Sequence, residues 1–179
     1  MNKFKILDCT LRDGGYYTNW DFNPSLVDTY IESCNSLPIE YLEIGYRSNT
    51  QKGYLGEYFY LPMYVIKSIK AKTNKKLVVI LNEKDVTVND LSRLLTDCVG
   101  LIDMVRIAID PINFSRAIPL AKYLKSMGFE VGFNVMYMST WKEQTEFLNL
   151  FTRAGFPSEQ LSLRFEDQKV MQYCFAESK

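Results

Sequence analysis

Leu77-Val78-Val79-Ile80-Leu81 is a run of branched aliphatic residues with no polar interruption. A strand with one wet face alternates apolar and polar residues. An unbroken run of this length fits a strand covered on both faces, as parallel strands are. Parallel neighbours need crossover connections, usually helices. The chain offers them. Strand-like stretches from Tyr41 to Arg47, Ile102 to Ile109 and Phe129 to Met138 alternate with segments of helical apolar period. One helix is expected after Asn23-Pro24, with Asn23 as its cap and Leu26, Val27, Tyr30, Ile31 and Cys34 on one face. Others are expected from Leu61 to Ala71, Val88 to Cys98, Pro111 to Met127 and Trp141 to Arg153. In the helix from Pro111 to Met127, Ile112, Ala117, Leu120, Ala121 and Leu124 form the apolar side. A sixth strand falls either from Leu161 to Phe165 or from Val170 to Ala176. Repeated βα units with right-handed crossovers and a parallel sheet follow, as a single domain over residues 1–179. Periodicity alone leaves a doubly wound sheet and a barrel open.

The stretch from Asp8 to Tyr16 carries the most chemistry. A short apolar run, Phe4 to Leu7, reads as a first strand. Arg12 and Asp13 stand at its end, before a Gly14-Gly15 pair suited to a turn of positive φ. Charged side chains at the C-terminal ends of strands are where α/β proteins place their sites. Side chains alternate along a strand. Leu7, Cys9 and Leu11 are therefore expected against the helices, with Asp8, Thr10 and Arg12 pointing inward. Glu43 points inward while Leu42 and Ile44 point out. Asn82, Arg106 and Asn134 also lie on inner faces or at strand tips. Buried without partners, such groups cost several kcal/mol each. They satisfy one another as an ion network of Asp8, Arg12, Glu43 and Arg106, or they meet a ligand.

Composition excludes several classes. The 21 Lys and Arg residues balance 21 Asp and Glu residues, and no basic block occurs, so neither nucleic acid nor an anionic membrane is the expected partner. Neither a signal-peptide core nor an apolar run of membrane-spanning length is seen, and the expected location is cytoplasmic. Four cysteines, widely spaced and without a C-x-x-C pair, read as free thiols. The chain has no histidine. That removes a Ser-His-Asp triad, a Cys-His pair, an H-E-x-x-H zinc site and a histidine base.

Asp8-Cys9-Thr10-Leu11-Arg12-Asp13-Gly14 resembles the opening strand of the DRE-TIM metallolyases, which include hydroxymethylglutaryl-CoA lyase, isopropylmalate synthase and the hydroxy-oxovalerate aldolases. The continuation Gly14-Gly15-Tyr16 is similar to the aldolase-like members, and the resemblance spans roughly Phe4 to Trp141. It implies a partial TIM (β/α)8 barrel of about five to six parallel βα units. It also implies a carbon–carbon lyase or aldolase acting on a pyruvate-like keto acid through a metal-bound enolate. By this resemblance Arg12 contacts the enolate oxygen, Asp13 binds a divalent cation (Mg²⁺ or Mn²⁺), and Glu43 completes the triad and orients Arg12. Tyr16 stands where aldolase members carry a histidine base, and Arg106 and Asn134 face substrate. The family's His-x-His metal ligands on strand seven have no counterpart in this chain. Two further expectations follow from that departure. The chain alone turns over very weakly or acts as an inactive barrel fragment or small-ligand-binding domain. Its unpaired sheet edges invite a second copy or a complementary chain.

Overall fold

Residues 77–81 occupy the middle of a strand, and all five side chains are fully buried. The computed structural model describes residues 5–153, 161–163 and 173–174. Strands β1 (Leu7–Asp8), β2 (Tyr41–Tyr46), β3 (Lys76–Asn82), β4 (Met104–Ile109), β5 (Glu130–Val135) and β6 (Leu161–Leu163) are parallel neighbours in sequence order. Five of these parallel strands form a curled half-barrel with helices between them. A short β7 (Tyr173–Cys174) pairs antiparallel with β6. Each reading of the sixth strand thus holds a strand. The remaining residues of both readings, Phe165 and Ala176 included, lie outside the described residues.

The helices are α1 (Thr10–Thr18), α2 (Pro24–Ser36), α3 (Glu57–Tyr60), α4 (Met63–Lys72), α5 (Val88–Leu95), α6 (Phe114–Ser126) and α7 (Thr145–Arg153). Their ends follow local chemistry. Asn23 caps α2 by accepting from the Ser25 N–H at 2.9 Å, with Pro24 at the first position. Asp90 accepts from both the Thr87 N–H (2.8 Å) and hydroxyl (2.7 Å), closing a capping box on α5. No helix among the described residues is long and apolar enough to cross a membrane.

The core has two sides. Between sheet and helices, Leu42, Ile44, Leu77, Val79, Val105, Ile107 and Phe133 pack against Ile31, Ile66, Leu91, Leu95, Ala117 and Leu120. On the inner face, Leu7, Cys9, Tyr41 and Val78 form a separate apolar tier, with Met104 packed against it. Toward the C-terminal ends of the strands this tier gives way to buried Glu43, Arg106 and Asn134.

Strand one departs from the sequence expectation in register and in length. It ends at Asp8, and the chain enters α1 at Thr10. Leu7 pairs with Tyr41 and Asp8 with Leu42. Leu7 and Cys9 therefore face the barrel interior, and Asp8 faces the helices, where the Tyr30 hydroxyl of α2 donates to it. Thr10 and Arg12 are helical, so strand alternation does not govern them. Gly14 and Gly15 are also helical, not a turn of positive φ. Ile112 is 66% exposed, outside the apolar side assigned to it, because α6 begins only at Phe114.

Candidate functional site

The site begins with how α1 starts. Asp8 Oδ1 accepts from the Thr10 N–H at 2.9 Å, an Asx-type contact that turns the chain out of β1. The helix that follows runs over the sheet rim and packs against β2 and α3. Its first turn carries Arg12 and Asp13; Tyr16 comes four residues after Arg12, on the same face of the helix. Gly15 allows a close fit to the loop that follows, since a Cβ there would lie 2.1 Å from the Trp20 indole. Trp20 then donates its ring N–H to the Arg12 carbonyl at 3.0 Å, tying the loop after α1 back to its first turn.

Arg12 has no exposed surface. Its Nε donates to Glu43 Oε1 at 2.7 Å, and its Nη1 donates to Asp13 Oδ1. Glu43 Oε2 accepts from Arg106 Nη1 at 2.6 Å, and Arg106 Nη2 donates to Asn134 Oδ1 at 2.9 Å. Arg12, Glu43, Arg106 and Asn134 thus form one line across the inner rim, from α1 through β2 and β4 to β5. The two guanidiniums are balanced by the two carboxylates of Glu43 and Asp13. Burial by itself raises the Glu43 carboxyl, but Arg106 and Arg12 outweigh it and hold the group below its usual range. Burial likewise disfavours charge on Arg12, and the adjacent Glu43 and Asp13 carboxylates more than reverse that.

One atom stands apart. Arg12 Nη2 is buried and has no hydrogen-bond partner among the described residues. An unmet guanidinium donor in a buried site costs on the order of 1–3 kcal/mol. Its natural complement is an anionic oxygen.

Asp13 is engaged on both oxygens: Oδ1 with Arg12, and Oδ2 with the Cys9 thiol at 3.2 Å. The Cys9 thiol is pushed well above its ordinary range, chiefly by burial, with Asp13 adding to it, so it is a protonated donor at neutral pH. Among the described residues there is no group of three His, Cys, Asp or Glu able to hold a metal ion. A single, already engaged carboxylate does not by itself make a divalent cation site.

The structure brings together Arg12, Asp13, Glu43, Arg106 and Asn134, five of the six residues to which the family resemblance gives roles. Tyr16, the sixth, is 58% exposed and joins through its hydroxyl, 3.0 Å from that of Tyr46. Tyr46 was not among the sequence candidates. A register shift between Glu43 and Gly45 inserts a bulge into β2, so that Tyr46 pairs with Ile80, which in turn pairs with Arg106. Without it Tyr46 would face the helices. A lone glycine inside an otherwise strand-like run is the signal that foretells such a bulge. Gly45 has φ +153°, and a Cβ there would meet the Tyr58 carbonyl oxygen at 2.1 Å. Asn82, also read as inward, is half-buried at the tip of β3.

Solved structures resemble this fold. The N-terminal domain of a presumed aldolase from Bacteroides vulgatus is 60% identical over 80% of this chain, with a TM-score of 0.78. The carboxyl transferase domain of Rhizobium etli pyruvate carboxylase matches 91% of the chain at 13% identity and a TM-score of 0.64. A variant of that domain solved with pyruvate matches 92% at 14% identity, again with a TM-score of 0.64. At that identity the likeness is one of fold. This chain spans 48% of the Bacteroides structure and 30% and 31% of the two Rhizobium ones. Neither a family model nor a curated protein matches the sequence. The neighbours agree with a DRE-TIM-like fold.

Proposed function

We propose that the chain carries the oxyanion-binding half of an aldolase-type site, in which Arg12 receives the enolate or keto oxygen of a pyruvate-like acid. The observation that carries this reading is the buried, unpartnered Nη2 of a guanidinium whose other donors are fixed by two carboxylates. Charge that develops on oxygen when a carbon–carbon bond beside a carbonyl breaks is best met by a donor that needs no reorganisation. Glu43 provides that condition for Arg12. Arg106 and Asn134 are expected on the substrate, but Arg106 donates to Glu43 and to Asn134, and their part in this reading is to brace Glu43. Tyr16, more than half exposed at the rim, stands at the position of the family's base.

The reading assigns Asp13 to a divalent cation, Mg²⁺ or Mn²⁺, only in company. Any such ion draws its remaining ligands from outside the described residues, so no step here is routed through it.

Isothermal titration with oxalate, a planar mimic of the pyruvate enolate, tests the reading. Saturable one-site binding that disappears in Arg12→Gln supports it. Equal binding by Arg12→Gln, or none by the wild-type chain, removes Arg12 from the role.

A further inference from the structure

The bulge in β2 has a functional consequence. Glu43 faces the barrel interior, and strict alternation would send Tyr46 to the helix side. The register shift between Glu43 and Gly45, which leaves Ile44 unpaired, returns Tyr46 to the inner face, in the row of Ile80 and Arg106. From the other side, Tyr16 lies one helical turn beyond Arg12 on α1, and its hydroxyl meets that of Tyr46 at 3.0 Å. Tyr46 is thereby bracketed. Its strand neighbour Glu43 holds Arg12, and its hydroxyl partner stands one turn from Arg12. The ring is fixed by stacking on Phe59 (centroids 5.1 Å apart) and by the edge-on Trp20 (5.7 Å). Tyr46 is 7% exposed.

We propose that Tyr46 is a further ligand-binding residue, its hydroxyl donating to the same anionic ligand that Arg12 Nη2 receives. The inference rests on the Arg12 reading and adds a second donor to it. The hydroxyls supply a directed chain. Tyr16, exposed at the rim, takes its own hydrogen bonds from water and donates to Tyr46, leaving the Tyr46 proton for the ligand. Donors in series polarise one another and strengthen the terminal bond. Burial, with Tyr16 and Glu43 adding to it against the pull of Arg12, raises the Tyr46 phenol further above its ordinary value, so it stays protonated and able to donate at neutral pH.

Trp20 supplies the reporter, because it touches both tyrosine rings and donates to the Arg12 carbonyl. Oxalate is titrated into the Trp141→Phe background, in which Trp20 is the remaining tryptophan, with and without Mg²⁺. Tyr46→Phe keeps the ring and its stacking and is expected to weaken oxalate binding about tenfold. Tyr16→Phe, changed at an exposed hydroxyl, is expected to weaken it by roughly two- to threefold, and the double variant no more than Tyr46→Phe alone. Should Tyr46→Phe fail to fold, Tyr16→Phe decides by itself. Unchanged affinity in Tyr46→Phe, with binding still lost in Arg12→Gln, overturns the Tyr46 assignment and leaves the Arg12 reading standing. An absence of binding by the parent chain overturns both.

Discussion

Arg106 reaches Glu43 across an intervening strand: Nη1 lies 2.6 Å from Oε2, although β3 separates their two strands. Glu43 thereby receives a guanidinium on each oxygen, one from α1 and one from β4, with neither carboxylate oxygen exposed. Removing that carboxylate charge leaves two buried cations facing each other. Glu43→Gln is expected to cost about 3–5 kcal/mol in urea denaturation. Lys72→Ala, which breaks an exposed pair with Asp28, is expected to cost under about 1 kcal/mol. Similar losses from the two changes would show that the buried network has no special weight.

The same carboxylate sets a pH dependence. Glu43 is held below its ordinary value of 4.5 in the folded protein, so the unfolded chain binds the proton more readily. Its contribution is complete above that value and is lost as pH falls through the lower folded one. The stability gap between wild type and Glu43→Gln is therefore widest at pH 7 and narrows below about pH 4.5. A gap that stays constant from pH 7 to pH 3 would remove the linkage.

Adjacent glycines in α1 should respond in opposite ways. A Cβ on Gly14 meets only the Phe22 ring edge, at 3.7 Å. Gly14→Ala is thus neutral or stabilising by about 0.5–1 kcal/mol, the usual helix preference for alanine. A Cβ on Gly15 collides with the Trp20 indole, and displacing that ring is expected to cost about 1–3 kcal/mol. Thermal melts followed by tryptophan emission separate the two: Gly15→Ala melts lower and its emission shifts to the red, and Gly14→Ala does neither.

Gly45 is a stricter position. A Cβ there meets the backbone oxygen of Tyr58, which cannot rotate away, and φ of +153° is strained for any other residue. Gly45→Ala should weaken oxalate binding as well as stability, because the bulge aims Tyr46. Loss of stability with undiminished binding would separate the bulge from the site.

Much of this architecture is legible in the sequence because burial on both faces leaves few choices. The run at 77–81 admits little but an interior parallel strand, and Leu42-Glu43-Ile44 alternates so clearly that its carboxylate had one direction to point. Strand one was not legible in the same way. Two residues are too few for alternation to set a register, and pairing of Leu7 with Tyr41 decided it instead. Asp8 looked like an inward charge because its partner, the Tyr30 hydroxyl, comes from a helix 22 residues later. Gly14-Gly15 resembled a turn, yet the need there is room for the Trp20 ring. Tyr46 is not legible from simple alternation, because the register shift between Glu43 and Gly45 turns it to the inner face.

The most direct measurement is a crystal structure of this chain grown with oxalate. Arg12 as the oxyanion donor requires one oxalate oxygen within about 3 Å of its Nη2, with the Arg12–Glu43 and Glu43–Arg106 contacts retained. Oxalate bound elsewhere, with Nη2 turned onto a protein oxygen, would contradict it.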